Sequence, residues 1–154
     1  MAWAAVVSDA CTISAITTSN VTTTATLLGT PSSGSALAIA APATPANATS
    51  LAASTASGQS VITWTAPVAP YCEVMLIANT ASTSATPSGN GSAYTANSQA
   101  FTDGLNTTFS TTGKVVYKGS AATATITGLT NGTVYYFKLF TRNGNTWSEP
   151  KTKS

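Results

Sequence analysis

Residues 133–143, TVYYFKLFTRN, alternate cleanly between two faces. Side chains point to opposite sides along an extended chain, so Tyr135, Phe137 and Leu139 share one face. Tyr136, Lys138, Phe140 and Arg142 share the other. Further apolar runs precede this one. SLAAST (50–55) reads as a first strand. SVITWTAP (60–67) is a strand with Ile62 and Trp64 on one face, stopped by Pro67. YCEVMLIAN (71–79) is apolar without alternation, which marks a central strand. KVVYKG (114–119) and ATATITGL (122–129) are two more, with Ile126 and Leu129 in the core. The turn at Asn143–Asn145 and a last strand near TWSEPKT (146–152) complete about seven short strands and no helix. That pattern predicts an all-β sandwich.

Residues 1–45 are patterned more weakly. CTISAITTSNVTTTATLLG (11–29) alternates β-branched and small residues, and SALAIA (35–40) offers another short strand. APATPANAT (41–49), with Pro42 and Pro45, reads as a stiff entry segment. The chain thus divides into a β-rich N-terminal extension or docking arm over 1–45 and a sandwich over 46–154. A stretch between Ala78 and Thr112, rich in Ser, Thr, Asn and Gly, interrupts the sandwich. A connection this long is usually functional or structured in its own right. It carries Tyr94, Phe101 and Phe109. Either these rings pin the loop onto the sandwich, or some are exposed for stacking on a sugar or a partner.

Charge changes the picture. Charged residues make up 6% of the chain, against about 25% in ordinary soluble domains. None lies between Asp9 and Glu73, and all six basic residues fall at or after Lys114. The abundance of Thr, Val and Ile argues for strands rather than disorder. A neutral Thr/Ser surface suits an extracellular protein or a subunit packed into an assembly. The net charge of +2 is too small and dispersed for nucleic-acid binding. Lys114, Lys118, Lys138 and Arg142 define at most a modest basic face on the strands. No run approaches 18 apolar residues, so no membrane span is expected. The opening MAWAAVVSDA lacks a basic n-region and does not read as a signal peptide.

SVITWTAP, followed much later by ITGLTNGTVYYFKLFTRNG, resembles a fibronectin type III domain over roughly residues 46–150. The resemblance implies an immunoglobulin-like sandwich in which Trp64 sits on the second strand. Leu129, Gly132, Thr133 and Tyr135 then lead into the sixth, with Tyr135 as a tyrosine corner. TPSGNGSAYTAN and GKVVYKGSAATATITGLTNGTVYYF are similar to modules of secreted Bacteroidetes-type proteins and their phages. The 78–112 insertion and residues 1–45 depart from the family pattern. No RGD tripeptide is present to support integrin-type adhesion.

The inventory of reactive groups argues against an enzyme. There is no histidine, which removes Ser-His-Asp and Cys-His machinery. The acids are Asp9, Glu73, Asp103 and Glu149, and nothing in the sequence pairs two of them across a cleft. GNGSAY lacks the spacing and following helix of a phosphate loop. Asp103 in TDGLN reads as an Asp-Gly turn rather than a calcium ligand, and no metal or cofactor is expected. Two cysteines without a CxxC pair leave one disulfide, Cys11–Cys72, or two separate buried thiols. Five Asn-x-Ser/Thr triplets, at Asn20, Asn47, Asn90, Asn106 and Asn131, are unremarkable in a chain this rich in Ser and Thr.

Two non-enzymatic readings remain. One is a structural subunit of an extracellular assembly, such as a phage decoration or fibre protein or a surface filament. It would associate with copies of itself or other subunits through residues 1–45. The other is a glycan- or protein-binding adhesion module of a secreted bacterial surface protein, using Tyr94, Phe101 and Trp147. Either places the chain outside the cell or on a virion surface.

Overall fold

The computed structural model describes Cys11 and residues 43–154. The strands expected over 11–29 and 35–40 lie outside the described residues. Nine strands appear in chain order: β1 Thr49–Ala56, β2 Gln59–Thr65, β3 Glu73–Asn79, β4 Thr108–Phe109, β5 Gly113–Gly119, β6 Thr123–Ile126, β7 Tyr136–Asn143, β8 Thr146–Trp147 and β9 Lys151–Lys153. About seven were expected. The added ones are the two-residue β4, inside the insertion, and the splitting of the last strand into β8 and β9. Pieces this short carry no periodicity to read.

The strands form two antiparallel sheets. One has the order β1-β2-β6; the other runs β4-β5-β3-β7-β8, with β9 also paired to β7. No helix occurs among the described residues. The described residues form an all-β, immunoglobulin-like sandwich, with the longest unbroken ladder, between β3 and β7, at the centre of the larger sheet.

The inter-sheet core takes one face of each strand. Ile62, Trp64, Val74, Leu76, Ala124, Ile126, Phe137 and Leu139 fill it, with Leu51, Ala53, Leu129 and Tyr135 packed at its rim. On β2 the inward residues are buried while Thr63 and Thr65 face solvent, as alternation requires.

Strand β3 behaves differently, being buried from Val74 through Asn79. Its second face belongs to a second core, made of Met75, Ile77, Phe109, Val115 and Phe140. Ala85, Tyr94, Ala96 and Trp147 pack onto it. The part of the insertion around Ala85 and Tyr94–Ala96 therefore forms a third layer over the outer face of the larger sheet. Burying Phe140, Met75 and Ile77 there contributes about 1.5–3 kcal/mol each. This explains why the VMLIA run does not alternate: both of its faces are dry.

A bulge between Leu76 and Ile77 decides which β5 residues point where. Leu76 stands opposite Tyr117, but Ile77 stands opposite Val115, so Val116 is the extra residue. Lys118, opposite Met75, and Lys138, opposite Ile77, lie on the outer face with Arg142, opposite Glu73. Lys114 stands opposite Ala78, an inter-sheet core residue, and so carries the other parity. The four-residue basic face is thus corrected to three residues, because the bulge reverses the alternation along β5.

Candidate interaction surface

The three outer-face cations are spent within the chain. Lys118 Nζ donates to the carbonyl oxygens of Gly91 (2.6 Å) and Tyr94 (3.1 Å) and lies 3.6 Å from Glu73 Oε1. Lys138 Nζ donates to the carbonyl of Thr83. Arg142 is 7% exposed; its Nε donates to Glu73 Oε1 (2.7 Å) and its guanidinium to the Gly144 carbonyl (2.6 Å). Lys114 likewise reaches Thr108 Oγ1 (2.9 Å). The lysines act as clamps on backbone carbonyls of the insertion, which would otherwise lose water without gaining a partner. Glu73 is held by two cations.

The aromatic residues proposed for binding are also engaged. The Tyr94 ring packs at 5.9 Å from Phe109 and edge-on at 5.8 Å from Trp147, and its hydroxyl accepts the Ser88 N–H (2.9 Å). Trp147 Nε1 donates to the Gly89 carbonyl (2.8 Å), and Arg142 stands 6.0 Å over its ring. Phe101 packs edge-on against Tyr135 at 5.1 Å. All three are half-buried. The structure brings Tyr94 and Trp147 together on the outer face and puts Phe101 elsewhere, beside the inter-sheet core.

The structural residues named from the sequence are placed as follows. Trp64, Phe137 and Leu139 are in the core, and Leu129 and Tyr135 are at its rim. The Tyr135 hydroxyl accepts the Thr130 N–H (3.1 Å), five residues upstream. Gly132 sits in the exposed turn with φ of +79°, a conformation glycine adopts without strain. Before it, Asn131 accepts the Gly58 N–H (2.8 Å) and donates to Ser57 Oγ (3.1 Å), tying this turn to the β1–β2 hairpin. Cys11 and Cys72 form a disulfide. Near it, Asn143 donates to the Ala43 carbonyl (3.2 Å), so the chain is fastened to the same end of the sandwich before and after residues 12–42.

Sequence reading missed the polar frame of the insertion. Asp103 accepts from Asn97 Nδ2 (2.9 Å), Ser98 Oγ (2.6 Å) and the Leu105 N–H (2.8 Å). These bonds hold its carboxyl below the ordinary value, Asn97 first. Asn106, 2% exposed, accepts the Ser98 N–H and donates to the carbonyls of Ser98 and Ala100. The Asp103-Gly104 turn was legible; a buried Asn that closes it from three residues on was not. Together they present Gln99–Phe101 to the free side of β6. The Thr127 N–H donates to the Gln99 carbonyl (3.0 Å) and the Phe101 N–H to the Thr127 carbonyl (2.9 Å). The insertion therefore seals one sheet edge as well as one sheet face.

What remains unpaired is the outer side of β1. It ends the smaller sheet and, among the described residues, hydrogen-bonds to no further strand there, although β9 of the other sheet lies close to it. Its sequence, TSLAASTA, has no charge and no proline. The other sheet's outermost strands are two or three residues long. Lys151 and Lys153, both exposed on β9, flank this side, and Lys153 lines a groove with Ala53 and Thr55. Among the described residues no group of three or more potential metal ligands occurs, and no helix is long and apolar enough to cross a membrane.

No family model and no curated protein matches the sequence. Three solved structures are similar in shape. A computationally redesigned β-sandwich protein shares 14% identity over 74% of this chain and 86% of its own, with a TM-score of 0.46. Domains A168–A170 of titin share 14% over 77% of this chain and 33% of theirs, at 0.48. Titin kinase with its flanking domains shares 15% over 71% and 16%, at 0.44. At these identities and TM-scores the likeness carries no information on function.

Proposed function

We propose that the chain is a non-enzymatic structural subunit of an extracellular assembly, a virion decoration or fibre protein or a surface filament. The sandwich is its presented rigid body, and residues 1–45 are its means of docking to other subunits. The observation that carries this reading is where the insertion spends its chemistry. Its rings face Phe109, Trp147 and Tyr135, and its carbonyls face the strand lysines. The insertion thus serves as armour for the domain, and each of its three rings packs against another ring of the chain. The Cys11–Cys72 disulfide supports an oxidising location, outside a cell or on a virion surface. The low charge supports a surface evolved to meet other subunits.

Light scattering on the full chain tests the proposal: its mass should rise with concentration to a defined multiple of the 15.4 kDa chain. A monomer at every concentration, combined with binding on a glycan array that Tyr94→Ala or Trp147→Ala abolishes, would replace it with the adhesion-module reading.

A further inference from the structure

We infer that the outer edge of β1 accepts a strand from residues 1–42 of a neighbouring copy; this rests on the subunit reading above and names the acceptor it needs. The geometry of the β1–β2 hairpin shows which groups are on offer. Ser57 and Gly58 form a two-residue turn between the paired residues Ala56 and Gln59. In such a hairpin the residues flanking the turn hydrogen-bond to each other, and bonded pairs then alternate with unbonded ones. Ala56 and Ser54 therefore bond to β2, opposite Gln59 and Val61, while Thr55 and Ala53, opposite Ser60 and Ile62, turn their N–H and C=O groups away from it. The register shift near the start of the strand lies between Thr49 and Ala52 and leaves Ala52–Ala56 regular.

Natural sheets blunt such an edge with charge, proline or a cover. The β6 edge has a cover in Gln99–Phe101; β1 has neither charge nor proline, and among the described residues only β9 lies near it, without pairing. Charge selects the occupant. Pairing β1 with β1 of a second copy would bring two sets of Lys151 and Lys153 towards one another. Residues 1–42 carry a single charge, the acidic Asp9, and their 11–29 stretch alternates β-branched with small residues. An uncharged or acidic extended segment fits this edge; a second basic one does not.

The test uses Thr55→Pro in the full chain. Thr55 is exposed and its N–H faces away from β2, so proline there removes an outward donor while keeping the hairpin bonds. Thr55→Val, which keeps the N–H, is the control for side-chain effects. Light scattering and amide exchange are followed over a range of concentration. The expected result is that wild type and Thr55→Val associate, with the Ala53 and Thr55 amides gaining at least tenfold protection as they do so. Thr55→Pro stays a folded monomer under the same conditions. Association of Thr55→Pro equal to wild type would overturn the β1 assignment while leaving the subunit reading in place. Protection of both amides in a wild-type monomer would mean that the chain's own N-terminal segment occupies the edge, and would also overturn it. A wild type that never associates, with both amides unprotected, would overturn the subunit reading itself.

Discussion

Gly91 lies directly against the Glu73–Arg142 ion pair: a Cβ at this position would stand 2.8 Å from both Arg142 Nε and Glu73 Oε1. Its φ is +80°, where a side chain is strained whatever the space. The insertion can approach the charged pair, and hand its carbonyl to Lys118, only because this residue has no side chain. Gly91→Ala should therefore cost about 1–3 kcal/mol from backbone strain alone. Gly104, with open space around its Cβ position, is the matched control and should tolerate alanine with little effect. Urea denaturation of both variants decides the matter. Equal midpoints would mean that the insertion is not seated as described.

The pair beneath Gly91 gives a second expectation. Arg142 is nearly inaccessible and Glu73 is its charged partner. Removing one member of a buried pair leaves the other charge uncompensated, at a cost of about 3–5 kcal/mol. Glu73→Ala should approach that figure, softened by the bond from Arg142 to the Gly144 carbonyl. The double replacement Glu73→Gln with Arg142→Met should cost less than the sum of the two single ones, because the one charge it leaves, on Lys118, keeps the carbonyls of Gly91 and Tyr94. A double-mutant cycle by chemical denaturation measures the coupling, and additivity would sink the argument.

Much of the sandwich was legible because its strands are long enough to show period two. Alternation puts Trp64 with Ile62, and Phe137 with Leu139, on single strand faces, and those faces line the inter-sheet core. The third layer was less legible. VMLIA marks β3 as a central strand, but local pattern does not say that its second face is covered or by what. The cover came from polar residues whose partners are far along the chain. Lys138 finds Thr83, 55 residues away, and Trp147 finds Gly89, 58 away. The bulge at Val116 reversed Lys114 for a similar reason: one extra residue is invisible to a reading that counts by twos.

Asp103 ties stability to pH. Hydrogen bonds from Asn97, Ser98 and Leu105 favour its ionised form, so its folded pKa lies below the ordinary value of 3.8. A depressed carboxylate stabilises the fold above its unfolded pKa, and that contribution fades as pH falls through the folded value. Asp103→Asn replaces an acceptor with an amide that also donates towards Asn97 and Ser98. Wild type should therefore be the more stable near neutrality, and the two curves should converge in acid. Thermal melts across pH measure this. Amide exchange at Phe101 and Thr127 should quicken in the variant, because the Asp103 turn presents Gln99–Phe101 to β6. A gap that holds constant down through the carboxylate range would assign the loss to shape rather than charge.

The disulfide gives an expected effect of similar size. Cys11 and Cys72 are 61 residues apart in sequence, and closing a loop of that size in the unfolded chain stabilises the native state by about 4 kcal/mol in the chain-entropy account. The core itself lies within residues 48–140, so the sandwich does not need the bond in order to pack. Reduction should thus lower the urea midpoint while leaving a cooperative transition with nearly the native slope. Cys11→Ser should match the reduced wild type and become insensitive to reductant. If reduction instead abolishes the transition, the N-terminal segment is part of the folding unit. If it changes nothing, the cross-link does not form in solution, and the argument for an oxidising location loses its support.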